Sequence, residues 1–255
     1  MELHFEAQGK GHPLLILHGL LGSSDNWRAI ARRLAASLNV FTVDLRNHGR
    51  SPRSDAMNYA FMAADLLELM ERQKIGGPHI LGHSIGGKVA MQLAAECPER
   101  IEKLVVVDIA PRAYPPAHRR LLETLRLLDI GRYQSFTELD RALAIEIPET
   151  PTRQLVLKNI ARGDNRRLRW KIDIEAIASN YENLIAAITP RNVFSKPALF
   201  IRGGRSDYMG AADVPLIRQT FPAARIETVA AAGHWVHADA PDEFLRVVSG
   251  FLAER

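Results

Sequence analysis

The chain has a single cysteine, Cys97, among 255 residues. No internal disulfide can form, and a Cys-rich metal site is excluded. Cys97 falls late in an apolar helical segment, where a small core residue is expected. No apolar run of about 20 residues goes uninterrupted, so no membrane-spanning helix is expected. No basic stretch followed by an apolar one opens the chain, so no signal peptide is expected. Together these absences point to a reducing, cytoplasmic setting. Like charges form no block, and the formal charge of +4 is spread along the sequence, which argues against nucleic acid as a partner. Internal repeats, low-complexity tracts and a separate linker are also missing.

What is present is alternation. Short runs, apolar at nearly every position, recur as "PLLILHG", "NVFTVDL", "HILGHS", "KLVVVDI", "PALFIRGG" and "RIETVAA". Such runs suit strands buried on both faces of a parallel sheet. Helical periodicity fills the gaps. In "SDNWRAIARRLAAS", Ser24 or Asp25 is the expected N-cap, with Trp27, Ile30, Ala31 and Leu34 on one face. "YAFMAADLLELMERQKI" stops at Gly76-Gly77-Pro78, and "GGKVAMQLAAECPERI" is broken at Pro98. The last helix, "PDEFLRVVSGFLAE", starts at Pro241 with acids in its first turn. Strand and helix in turn mean right-handed crossovers and an α/β doubly wound sheet. "LHFEAQG" alternates before a Gly-Lys-Gly turn and reads as an antiparallel edge strand.

The alternation stops between residues 112 and 190. That stretch is helical in pattern and lacks a clear buried strand, so it is expected to be a helical cap over the C-terminal edge of the sheet. The core is then residues 1–111 and 191–255. Leu121, Leu122, Leu125 and Leu128 recur at helical spacing, which suits packing better than a pocket. The cap is rich in arginine: Arg119, Arg120, Arg166, Arg167 and Arg169. They read as a solvated basic face, or as a surface that attracts acidic substrates.

Gly82-His83-Ser84-Ile85-Gly86 has the pattern G-x-S-x-G. By composition alone this arises in about one chain of this length in ten, so context decides. Here a strand runs into the serine and a helix leaves it, which makes a nucleophile elbow. The turn strains the serine backbone, and the flanking glycines remove clashes. Ser84 is therefore the candidate nucleophile. A base must take its proton. His234 lies on a Gly-rich loop before the last helix, and Gly233 leaves it free to reach inward. His237 reads as a loop or supporting residue. The spacing of these histidines supports no metal site, and no cofactor is expected. An oxyanion hole needs two donors. Ile85 N–H supplies one, and Leu20 N–H, with Leu21 in reserve, supplies the other. His18 and His83 flank these turns as buried structural histidines.

The segments "HGLLGSSDNW", "DLRNHGRSP", "GHSIGGKVAM", "VVVDIAP" and "AAGHWVHADAPDEF" together resemble an α/β-hydrolase, and more narrowly the small YbfF-type acyl esterases. The likeness spans nearly the whole chain and is weakest in the cap. It implies a serine hydrolase that cleaves acyl esters or thioesters without a cofactor. Haloalkane dehalogenases and epoxide hydrolases share the fold but place Asp where this chain has Ser84. The triad acid has two candidates. Asp207 follows "ALFIRGG", where the general fold rule puts it. Asp108 ends "LVVVDI", the position that can serve in esterases resembling this one, and is preferred. Asp44 precedes Ser84, breaks the order and reads as a structural loop residue.

The expected reaction is two-step acyl transfer through Ser84, with His234 as base and an Asp as orienter. Other chemistries of the same site, C–C hydrolysis or perhydrolysis, are the alternative, followed by a non-catalytic ligand-binding protein and by a partner-binding module using the basic cap. Short to medium acyl chains are favoured, and coenzyme A thioesters would suit the arginines. The protein is expected to be a monomer or a homodimer.

Overall fold

A computed structural model describes residues 1–163 and 167–254. The strands are β1 (Phe5–Gln8), β2 (His12–Leu17), β3 (Leu38–Val43), β4 (His79–His83), β5 (Leu104–Val107), β6 (Ile160–Arg162), β7 (Leu168–Trp170), β8 (Ala198–Gly203) and β9 (Ala224–Val229). Seven form one sheet in the order β1-β3-β2-β4-β5-β8-β9. All its pairs are parallel except β1 with β3, where Phe5 faces Val43 and Gln8 faces Val40.

The helices are α1 (Arg28–Leu34), α2 (Tyr59–Arg72), α3 (Ile85–Glu96), α4 (Arg119–Leu127), α5 (Phe136–Glu146), α6 (Thr150–Lys158), α7 (Ile174–Ser179), α8 (Tyr181–Ile185), α9 (Val214–Thr220), α10 (Val236–Asp239) and α11 (Pro241–Ala253). Side chains on a strand alternate between faces, and two cores result. Leu15, Leu17, Ile80, Leu104 and Phe200 face the core closed by α2 and α3. Leu14, Ile16, Leu81, Val105 and Ile201 face the one closed by α1 and α11. This is why the strand sequences show no polar face. Among the described residues no helix is long and apolar enough to cross a membrane.

Two local readings need correction, and one helical stretch is interrupted. Ser23, not Ser24 or Asp25, caps the first helical segment. Residues Ser24–Trp27 form a 3₁₀ turn, and Ser23 N–H donates to Asn26 Oδ1 at 2.8 Å. The stretch between β5 and β8 carries α4 to α8 but also the antiparallel pair β6–β7, whose three-residue strands are too short to show a period of two. The segment from Asp173 to Ile188 breaks at Asn180. There the Asn180 amide donates to Asp55 O at 2.7 Å and its oxygen accepts from Met57 N–H. That is the usual competition of asparagine with helix hydrogen bonds. Cys97 caps α3, half-buried against the core.

His48 and His237 are buried, and burial pushes both imidazoles down to about 3. The unfolded chain therefore binds protons that the folded chain refuses. Their stabilisation is complete above the ordinary histidine pKa of about 6.5 and is lost as pH falls toward 3. Between pH 6 and pH 5 each should cost on the order of 1 kcal/mol. Urea denaturation at pH 7, 6 and 5 measures this, and a flat profile rejects it.

Candidate active site

β4 ends at His83, α3 begins at Ile85, and Ser84 alone makes the turn, at φ 54° and ψ −123°. A residue with a Cβ is strained there. Close packing holds it. A Cβ on Gly82 would lie 2.2 Å from Gly86 O, and one on Gly86 would lie 2.5 Å from His18 O. The first turn of α3 thus rests directly on β4 and on the chain leaving β2. Ser84 is 6% exposed, and its Oγ has no hydrogen-bond partner among the described residues.

Asp108 follows β5 as Ser84 follows β4, since His83 pairs with Val107. Its φ is also positive, at 52°, and it is fully buried. Its carboxylate accepts three hydrogen bonds: Gly203 N–H at 2.9 Å, Ser206 Oγ–H, and His234 Nδ1–H at 2.8 Å. The last bond leaves His234 Nε2 as the acceptor nitrogen. The His234 ring stacks on Tyr208 at 3.9 Å and 21°. His83 Nε2–H donates to the His234 carbonyl at 2.9 Å, and Gly233 N–H donates to Asp239 Oδ2 at 2.7 Å. The loop is thereby fixed on both sides of the imidazole. Asp207 is exposed and makes no hydrogen bond to His234. No hydrogen bond joins Ser84 to His234, although both line one cavity. Looseness of this kind is common before substrate binds.

The loop after β2 faces the serine. A Cβ on Gly19 would sit 3.2 Å from Ser84 Cβ. His18 Nδ1–H donates to Gly19 O at 2.8 Å, and His18 Nε2 accepts Leu45 N–H at 3.0 Å. Leu21 has φ 56°, and its carbonyl accepts the buried Asn159 amide at 2.5 Å. Ile85 N–H is among the amides that a helix start leaves open. Leu20 N–H has no backbone partner among the described residues. Burial pushes His18 and His83 below the ordinary imidazole range, His83 furthest, with His234 and His237 adding to it. His237 stacks on Trp27 at 4.0 Å. Asp44 accepts Ser24 N–H at 2.6 Å and Arg50 N–H at 2.9 Å, tying two loops together.

Ser84 stands between two cavities. One of about 240 Å³ contains His18, His234, Leu121, Leu155 and Trp235. The other, about 320 Å³, contains Ile85, Lys88, Ile109, Leu184 and Ile185. Leu20, His118 and Tyr208 border both. Leu121 is thus a pocket residue, while Leu122 and Leu125 pack in the core and Leu128 against it. Lys88 lies one turn along α3 and is 1% exposed. Its ammonium donates to Arg112 O at 2.7 Å and Ala186 O at 2.5 Å, and sits 4.8 Å from the Tyr114 ring. Burial, then the Arg112 charge, pulls it down to about 7. Arg119, Arg120 and Arg126 pair with Glu182, Glu146 and Glu175. Arg169 is exposed, Arg167 is described, and Arg166 lies outside the described residues.

Ser206, Tyr208, Asn159 and His118 took no part in the sequence-based expectation. Each acts through a fold contact between distant segments, and no local pattern marks it.

A family model described as the alpha/beta hydrolase fold matches residues 12–241. The chain is similar to Esterase YbfF of Escherichia coli (strain K12), 35% identical over 96% of this chain and 94% of that protein. It is also similar to sn-1-specific diacylglycerol lipase ABHD11 of Danio rerio, 35% identical over 97% of this chain and 80% of that one. Among solved structures, the Marine microorganism esterase superposes with a TM-score of 0.96 and 40% identity, covering 98% of this chain and 99% of that one.

The strained turn makes a stability prediction. Ser84→Gly relieves the backbone and Ser84→Ala does not, so the glycine variant should be more stable by about 1–2 kcal/mol. Gly86→Ala should destabilise by about 1–3 kcal/mol or more, through overpacking against His18 O. Thermal unfolding of the three variants checks both, and equal stability of the two Ser84 variants would remove the strain argument.

Proposed function

Because the chain belongs to the α/β-hydrolase family, we propose that its ester-hydrolysing chemistry runs through an acyl-enzyme on Ser84. His234 serves as base and acid, and Asp108 is the residue that orients it. One observation carries this reading: the His234 Nδ1–H bond to the buried Asp108 carboxylate, in the cavity that Ser84 also lines. That bond fixes the tautomer whose Nε2 can take the Ser84 proton.

Ser84 Oγ attacks the substrate carbonyl carbon as its proton passes to His234 Nε2. Ile85 and Leu20 N–H groups receive the developing oxyanion. Collapse of the tetrahedral intermediate breaks the bond to the leaving group, which takes the proton from His234. Water then repeats the sequence, and the carboxylic acid departs. Asp108 stabilises the imidazolium throughout without accepting its proton.

The two cavities divide the substrate. The leaving group must lie where His234 can protonate it, which is the smaller cavity. The acyl group then occupies the larger one, beside Ile109, Leu184 and Ile185. A volume of about 320 Å³ is near the lower end for ligand pockets of roughly 300–1,000 Å³, which supports short and medium acyl chains. The arginines paired within the insertion give little support to coenzyme A thioesters. The name of ABHD11 makes glycerides a further class to assay.

Turnover of a p-nitrophenyl ester tests the assignment. Ser84→Ala and His234→Ala should each lose on the order of 10³ to 10⁶. Asp108→Asn should lose about 10⁴, and Asp207→Asn almost nothing. Normal turnover by Ser84→Ala would overturn the scheme, and a large loss in Asp207→Asn alone would replace the acid. A chain-length series of these esters, run beside acyl-CoA thioesters, should show efficiency falling for long acyl chains. An optimum at long chains would refute the cavity assignment.

A further inference from the structure

The opposite edge of the sheet holds a second group of side chains that the ester chemistry does not use. His12 opens β2, His79 opens β4, and Glu102 stands two residues before β5. These strands are neighbours, so the three residues meet where the chain enters the sheet. The imidazoles lie 4.1 Å apart at 35°, and His12 Nε2 is 3.2 Å from Glu102 Oε2. His79 is 4% exposed. Among the described residues its Nδ1 and His12 Nε2 are buried atoms that make no hydrogen bond. One donor atom from each residue lies within 4.8 Å of the other two.

Among the described residues His79 Nδ1 has no partner and His12 Nε2 has only the Glu102 carboxylate beside it, and a buried nitrogen left unpaired is costly because it forfeits its bonds to water. Two imidazoles and a carboxylate thus come together. That donor set suits one kind of guest. Neutral imidazole and carboxylate are the ligands of zinc-type ions, whereas calcium and magnesium take oxygen ligands. We propose that His12, His79 and Glu102 bind one divalent transition ion of the zinc type, with water completing a tetrahedron. In such a site neighbouring donors stand about 3.4 Å apart for bonds of about 2.1 Å. The Glu102 side chain is more than half exposed and can close the remaining distance. Burial, then the His12 and Lys103 charges, holds the His79 imidazole down to about 4. The Lys103 ammonium is itself tied to the carbonyls of Phe251, Leu252 and Glu254.

The ion would clamp the entering ends of three adjacent strands. β4 spans five residues, roughly 16 Å at strand rise, between His79 and the turn that bears Ser84. The clamp should therefore raise stability and leave ester turnover unchanged. Zn²⁺ titrated calorimetrically into EDTA-treated protein should bind one site in the micromolar range and raise the melting temperature, with Mg²⁺ inert. Glu102→Gln and His12→Asn, both at partly exposed positions, should each weaken binding by about tenfold or more and abolish the melting shift. His79→Asn should do the same if it folds. Absence of Zn²⁺ binding, or binding of equal strength in Glu102→Gln and His12→Asn, would overturn the proposal.

Discussion

The approach of α3 to β4 governs the rest of the site. With hydrogen alone on Gly82 and Gly86, the helix starts in contact with two strand ends, and the single residue between strand and helix is forced to positive φ. That geometry raises the Ser84 side chain above the sheet edge. It also brings the open amides at the start of α3 to the level of the loop that leaves β2. A methyl group at either glycine would have to push backbone against backbone, which a packed interior absorbs poorly.

The same level of the sheet carries the second anchor. Because β4 and β5 run in register, the residue after β5 emerges beside the residue after β4, and Asp108 is buried there with three donors around it. A carboxylate out of water needs such company. Two of the donors come from the end of β8 and the turn after it, so that turn wraps the acid before the imidazole arrives from beyond β9.

The fold could be read from the sequence because each strand is apolar on both sides, the signature of a sheet covered on both faces. The elbow was legible for a local reason: strand, glycine, serine and glycine are consecutive. The acid was not. Asp108 and Asp207 both follow strands, and only the path of the chain after Gly203 decides which carboxylate faces the ring. Nor does local sequence reveal Ser206, Tyr208 or Asn159, whose roles depend on partners about 30 to 140 positions away along the chain. The β6–β7 pair and the break at Asn180 were hidden because short elements are decided by tertiary contacts rather than by periodicity.

Lys88 joins α3 to Arg112 and Ala186, which lie near the two stems of the inserted helices. One turn further, Gln92 exchanges hydrogen bonds with Thr189 on the returning stem. The insertion is thus pinned at its roots. Detaching it there would strand a buried ammonium and two carbonyls together. Any rearrangement of the insertion that keeps these bonds leaves its two stems in place, and with them the floor beneath Ser84.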